Sequence, residues 1–155
     1  MLQYSHSRQT LKDALAVSRL LADEGVDALH VSLIANSSWK EVDDKRFLVA
    51  SSAFPKGQPA GENVSNAAAI KEATGLPVIA VGKLGEGNVA AEAVRDLPID
   101  IVAIGRQMIA DPDTAGKILA GKSDEIVPCE ECMTCFATIG GGKPMACKAN
   151  RKLPG

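Results

Sequence analysis

No charge of either sign dominates this chain, and no long apolar run interrupts it. Seventeen Lys and Arg stand against nineteen Asp and Glu in 155 residues, which gives a net charge of −2 and an isoelectric point near 5.7. That balance provides no basic face for a polyanion, so nucleic-acid binding is not expected. The longest apolar stretches, residues 76–81 and 99–104, are of strand length and fall far short of the ~20 residues a membrane helix needs. Aromatic residues are scarce, five in all, with Trp39 the sole tryptophan. An apolar content of 46% still allows one ordinary core. No secretory signal opens the sequence, so a cytoplasmic location is expected. No Ser, His and acid constellation stands out, and no His-Glu-x-x-His zinc motif occurs. Of the two histidines, His30 lies in a strand, where a hydrogen-bonded core or strand-end role is expected, and His6 carries no strong signal.

Cysteine is absent from the first 128 residues and then occurs four times, as Cys129-x2-Cys132-x2-Cys135-x11-Cys147. Thiolates bind iron–sulfur clusters and zinc strongly, and two-residue gaps let neighbouring cysteines turn onto one centre. Gly140-Gly141-Gly142 and Pro144 supply the turn chemistry that would bring Cys147 back, so the spacing describes a closed four-thiolate pocket. Structural zinc sites usually pair their thiolates as two separated Cys-x2-Cys knuckles, whereas three in one run followed by a distant fourth fits iron–sulfur ligation better. Zinc and disulfides stay open as alternatives, the latter disfavoured in a reducing compartment.

Apolar periodicity predicts helices over residues 10–24, 67–74, 87–95 and 111–119, and short buried strands over 27–32, 77–81 and 99–104. Gly25 and Gly75 stand where helix-ending glycines belong. Strands that are apolar on both faces and alternate with helices imply a parallel sheet covered by helices, either an open doubly wound sheet or a (β/α) barrel. Residues 33–63 read as a long excursion with Trp39, the charged run from Lys40 to Arg46 and a turn-rich stretch around Pro55. Such an excursion at a strand's carboxyl end either helps to build an active site or is a solvated loop.

Two strands end in a glycine followed by a cation, Val81-Gly82-Lys83 and Ile104-Gly105-Arg106. A phosphate needs close backbone approach, N–H donors and positive charge, and this pair would supply them at neighbouring points of one sheet edge. The last two strands of a barrel are a familiar place for such a site. Gly82-x-x-Gly85-x-Gly87 does not have the dinucleotide-fingerprint order.

Five segments together resemble the flavin-dependent oxidoreductases of the old yellow enzyme class, in the branch with 2,4-dienoyl-CoA reductase and trimethylamine dehydrogenase. They are the runs from Gly25 to Ser32, from Pro77 to Leu84 and from Asp100 to Arg106, then Ala110-Asp111-Pro112, and the cysteine run. The resemblance implies an α/β fold made of the C-terminal part of a (β/α)8 TIM barrel, about three βα units in residues 1–122, followed by an iron–sulfur segment in 123–155. It implies that Gly82, Lys83, Gly105 and Arg106 surround the phosphate of FMN. It also implies that Cys129, Cys132, Cys135 and Cys147 hold a 4Fe–4S cluster, and that NAD(P)H supplies electrons to the intact enzyme, which acts on activated alkenes such as 2,4-dienoyl-CoA.

A complete barrel needs about 250 residues. The strands that would bear the family's proton donors are therefore expected to be missing, no catalytic residue is assigned, and a gene fragment or truncated reading frame is the expected origin. Unpaired sheet edges would be covered by the missing barrel half or by self-association. A stand-alone iron–sulfur electron-transfer module and a zinc-stabilised α/β interaction domain are the alternative readings.

Overall fold

Thr10 opens the first helix with a reciprocal cap. Its hydroxyl accepts from the Asp13 backbone N–H at 3.3 Å, and the Asp13 carboxylate accepts from the Thr10 N–H at 2.9 Å. The structure is a computed structural model that describes residues 10–32, 36–42, 45–51 and 59–153. His6 and the turn-rich residues 52–58 lie outside them.

Helix α1 (Leu11–Asp23) leads through Gly25, in the left-handed conformation, to strand β1 (Leu29–Val31). A second helix, α2 (Val64–Thr74), ends at left-handed Gly75 and leads to β4 (Val78–Val81). Helix α3 (Val89–Asp96) leads to β5 (Ile101–Ala103), and the chain continues through α4 (Arg106–Ala110) and α5 (Thr114–Leu119). Strands β1, β4 and β5 form one parallel sheet in that order, with His30 beside Ile79 and Ile79 beside Ile101. The predicted alternation and parallel sheet are therefore observed, with strands one to three residues shorter where the chain leaves the ladder.

The core lies between this sheet and its helices. Leu29, Val78 and Ala80 from the strands meet Ala67 and Ile70 of α2, Ala90 and Ala93 of α3, and Leu84. Small alanines let the helices approach the sheet closely, and complete burial of a side chain such as Val78 contributes about 1.5–3 kcal/mol. At the amino ends of the strands, Asp100 accepts from the Val78 N–H at 2.7 Å and pairs with Lys71 at 3.0 Å, which sets the register of β4 against β5. The opposite face of the sheet carries His30, Ile79 and Ile101 in one row, as inward residues of a barrel would lie. His30 is exposed rather than a satisfied core residue, and Ile101 is 52% exposed.

Two further expectations are corrected. Residues 33–63 contain an antiparallel hairpin, β2 (Asn36–Val42) with β3 (Lys45–Ser51), so Lys40, Glu41, Lys45 and Arg46 of the charged run belong to paired strands and not to a loop. The helix predicted over 111–119 starts three residues later, as α5 from Thr114, because Asp111 ends the unpredicted α4 in an extended conformation and Pro112 follows it. The apolar stripe of α1 is divided between core and surface. Ala14 and Leu15 pack on the core, while Leu11, Val17, Leu20 and Leu21 are between 41% and 65% exposed. Among the described residues no helix is long and apolar enough to cross a membrane.

Candidate functional site

The carboxyl ends of β4 and β5 face a cavity of about 60 Å3 lined by Lys83, Gly105, Arg106, Gln107, Cys129 and Glu131, among others. Gly82 closes β4 with φ +148°, a conformation open to glycine, and its carbonyl accepts from the Gly61 N–H at 3.0 Å. Beside it, buried Asn63 donates to the carbonyls of Val31 and Val81 at 3.1 and 3.3 Å, tying together the ends of β1 and β4. A side chain on Gly105 would meet nothing within 4 Å, so there is open space against its backbone. Gly85 is the reverse case, since a Cβ there would come within 2.7 Å of Gln107 Cβ and 2.9 Å of Ile104 Cγ2. The β4 turn thus packs directly on α4.

The two predicted cations have different surroundings. Lys83 pairs with Glu131 at 2.6 Å and with Glu86 at 3.3 Å. Burial pulls its ammonium pKa down, but the hydrogen bonds of Glu131 and then Glu86 outweigh that and leave it raised. Arg106 makes no ion pair among the described residues, and its guanidinium reaches Met133 Sδ at 3.2 Å. A phosphate that enters this cavity therefore finds open backbone at Gly105 and an uncompensated charge at Arg106, which fits the phosphate end of FMN. The cavity has the scale of that group and is well below the ~300–1,000 Å3 of a complete small-molecule site.

The cysteine segment is strapped to α4 by Gln107, which carries no motif, and by Asp111 of the Ala110-Asp111-Pro112 run. Gln107, 7% exposed, donates through Nε2 to the Val127 carbonyl at 2.8 Å and to Thr114 Oγ1 at 3.2 Å, and accepts through Oε1 from the Cys129 N–H at 2.9 Å. Asp111, one helical turn on, accepts from the Val127 N–H at 2.9 Å and from Lys117 at 2.6 Å. Together the two side chains imitate a strand edge for residues 127–129. Asn150 donates to the Ile109 carbonyl at 3.0 Å and returns the segment beyond Cys147 to the same helix.

The Lys117 hydrogen bond, and after it the Val127 N–H, lower the Asp111 pKa. A lowered carboxylate pKa stabilises above the unfolded value of about 4, and that stability is lost as pH falls through the folded value. Protection of the Val127 amide against hydrogen exchange is therefore expected to decline below pH ~4 in the native protein. In Asp111→Asn it should be weak already at neutral pH and carry no such acid step.

Cys132 is exposed, Cys135 is buried at the start of α6 (Thr134–Gly140), and Cys129 and Cys147 are intermediate; none forms a disulfide. The short helix was not expected inside the cysteine run. Glu131 and Met133 flank Cys132 with φ +53° and +59°, so the backbone coils around it. The Thr134 hydroxyl, 3.2 Å from Cys132 Sγ, and then the Thr134 N–H lower the thiol pKa towards the ligand form. Thr138 accepts from the Ala146 N–H at 3.2 Å and so brings the residue before Cys147 against the helix that bears Cys135. Among the described residues no three His, Cys, Asp or Glu side chains converge so as to hold a metal ion, so the closed pocket expected from the spacing is not formed here. The donor set, four unpaired thiols in 19 residues with one thiol lowered, fits an iron–sulfur cluster by its chemistry.

Parallel βα units with glycine–cation turns gathered at their carboxyl ends are an α/β arrangement consistent with part of a (β/α)8 barrel. The chain belongs to the NADH:flavin oxidoreductase / NADH oxidase family, whose sequence profile matches residues 3–125. It is 31% identical over 139 residues to an NADH oxidase of Thermoanaerobacter brockii, an alignment spanning 90% of this chain and 20% of that protein. To a multifunctional alkene reductase/demethylase of Caballeronia cordobensis it is 29% identical over 126 residues, 81% of this chain and 18% of the relative. The chain thus spans about a fifth of the length of these relatives. Histamine dehydrogenase from Rhizobium sp. 4-9 shares the fold over 93% of this chain and 25% of its own, with a TM-score of 0.58 and 20% identity.

Proposed function

We propose that this chain supplies the phosphate-binding and cluster-binding parts of an FMN- and 4Fe–4S-dependent NAD(P)H:flavin oxidoreductase that acts on activated alkenes such as 2,4-dienoyl-CoA. The observation that carries this reading is the single cavity at which the Gly105-Arg106 turn, the β4 turn and Cys129 meet. Bound FMN would supply hydride chemistry at a double bond, and the cluster would pass single electrons. Gly105 would admit the phosphate to the backbone, and Arg106 would neutralise it by charge-assisted hydrogen bonds. Gly82 shapes the neighbouring turn, and Lys83 stands at its wall. Cys129, Cys132, Cys135 and Cys147 would be the cluster ligands. Each thiolate of a four-iron cluster binds a different iron, so convergence on one point is not what such a cluster requires.

The row of His30, Ile79 and Ile101 and the exposed stripe of α1 would be covered by the remaining strands of the barrel or by a second copy of this chain. The sheet has only three parallel strands among the described residues, and the named relatives are about four and a half times as long. A reducing cytoplasm suits four unpaired thiols.

Arg106→Ala tests the assignment. In a protein carrying a complete barrel around this segment, the substitution should weaken FMN binding about 10–100-fold, as befits loss of a hydrogen-bonded charge worth about 1.5–3 kcal/mol. Equilibrium titration followed by flavin fluorescence measures it. Unchanged affinity would remove Arg106 from the phosphate site.

A further inference from the structure

Lys83 and Glu131 belong to segments far apart in sequence, the turn after β4 and the loop between Cys129 and Cys132, yet their charged ends stand 2.6 Å apart. Their side chains are 10% and 12% exposed, so this pair is largely withdrawn from water, unlike the second partner of Lys83, Glu86, which is 48% exposed. Exposed ion pairs hold little, whereas desolvated ones resist separation, because each charge left alone would be poorly solvated. Both residues also have left-handed backbones, with φ +55° at Lys83 and +53° at Glu131, a conformation disfavoured for residues with a Cβ. Two strained turns are thus joined by the contact between them.

That contact lies in the wall of the phosphate-scale cavity, which both residues line together with Arg106 and Glu86. Two cations and two carboxylates leave the cavity without net positive charge. An anion that draws on Lys83 must do so at the expense of Glu131.

We propose that Glu131 is a positioning residue that docks the loop bearing Cys129 and Cys132 onto the β4 turn through Lys83, and that it competes with an anion in the cavity for the same ammonium. The docking role stands on geometry alone, whereas the competition rests on the phosphate site proposed above. The phosphate turn and the cysteine loop are then coupled, and anion binding at one loosens the other.

The test uses the full 155-residue chain, reduced and free of cofactors, in two measurements. Hydrogen exchange read by mass spectrometry compares residues 129–134 with α2, which serves as the folding reference. Glu131→Gln and Lys83→Met should each speed exchange at 129–134 about tenfold and leave α2 unchanged. The double variant should exchange no faster than either single one, and the charge-swapped Lys83→Glu/Glu131→Lys should regain protection. Unchanged exchange in Glu131→Gln, or single effects that multiply in the double variant, would overturn the docking role. Titration with inorganic phosphate followed by phosphorus NMR should show about tenfold tighter binding to Glu131→Gln than to the native chain, and weaker binding to Lys83→Met. Equal binding to the native chain and Glu131→Gln would overturn the competition. Absence of phosphate binding in every variant would overturn the phosphate site together with the competition, and the exchange result would still decide the docking role.

Discussion

Cys147→Ser should leave the chain folded and almost without iron after anaerobic reconstitution, where the native chain takes up about four irons. The serine hydroxyl is a harder and far less acidic donor than a thiol, and it cannot replace a thiolate on an iron–sulfur centre without weakening it. Cys147 is the ligand candidate outside the tight run, and its approach depends on the Thr138 hydroxyl, which holds the Ala146 N–H at 3.2 Å. Ala146 itself is 5% exposed, so this return of the chain is packed independently of the thiol. Visible absorption and iron content should therefore fall while the far-ultraviolet dichroism stays native. An intact brown spectrum in Cys147→Ser would show that Cys147 is no ligand.

Gln107→Ala should have the largest effect on stability. The carboxamide is 7% exposed and engages three partners, and truncation leaves the Cys129 N–H and the Val127 carbonyl facing a void. Loss of packing and of these hydrogen bonds is expected to cost about 3 kcal/mol, which for a chain of this size lowers Tm by roughly 10 °C. Gln107→Glu separates the two contributions. It keeps volume and the acceptor for Cys129 but turns the donor towards Val127 into a second acceptor, so it should recover part of the stability and little of the order at residues 127–129. Thermal unfolding of the three proteins measures this. A Gln107→Ala chain within 1 °C of native would mean that the strap does not hold the segment.

The β4 unit was legible because its strand is buried on one face and half-buried on the other, so Pro77-Val78-Ile79-Ala80-Val81 reads as continuous apolar sequence between glycines. The hairpin escaped because Ser37, Ser38, Lys40 and Glu41 hide a strand in polar residues, and only the cross-strand register to Lys45–Ser51 reveals it. Helix α4 has five residues, too few to show a period. Glycine–cation turns announce themselves by residue type, and the cysteines by spacing. Gln107, Asn63 and Glu131 announce nothing, since a buried carboxamide or carboxylate acquires its role from partners 22 to 48 residues away that the sequence does not place beside it. The ion pair of Lys83 was hidden for the same reason. Its carboxylate partner lies in a different segment, and only the fold brings the two together.

An anaerobic visible spectrum of the purified chain, before and after dithionite, with iron, sulfide and zinc counted on the same sample, tests the cluster assignment on which the proposed function turns. Broad brown absorption that bleaches on reduction, with about four irons and four sulfides per chain, is the predicted result. A colourless chain holding one zinc, or no metal after reconstitution, would contradict it.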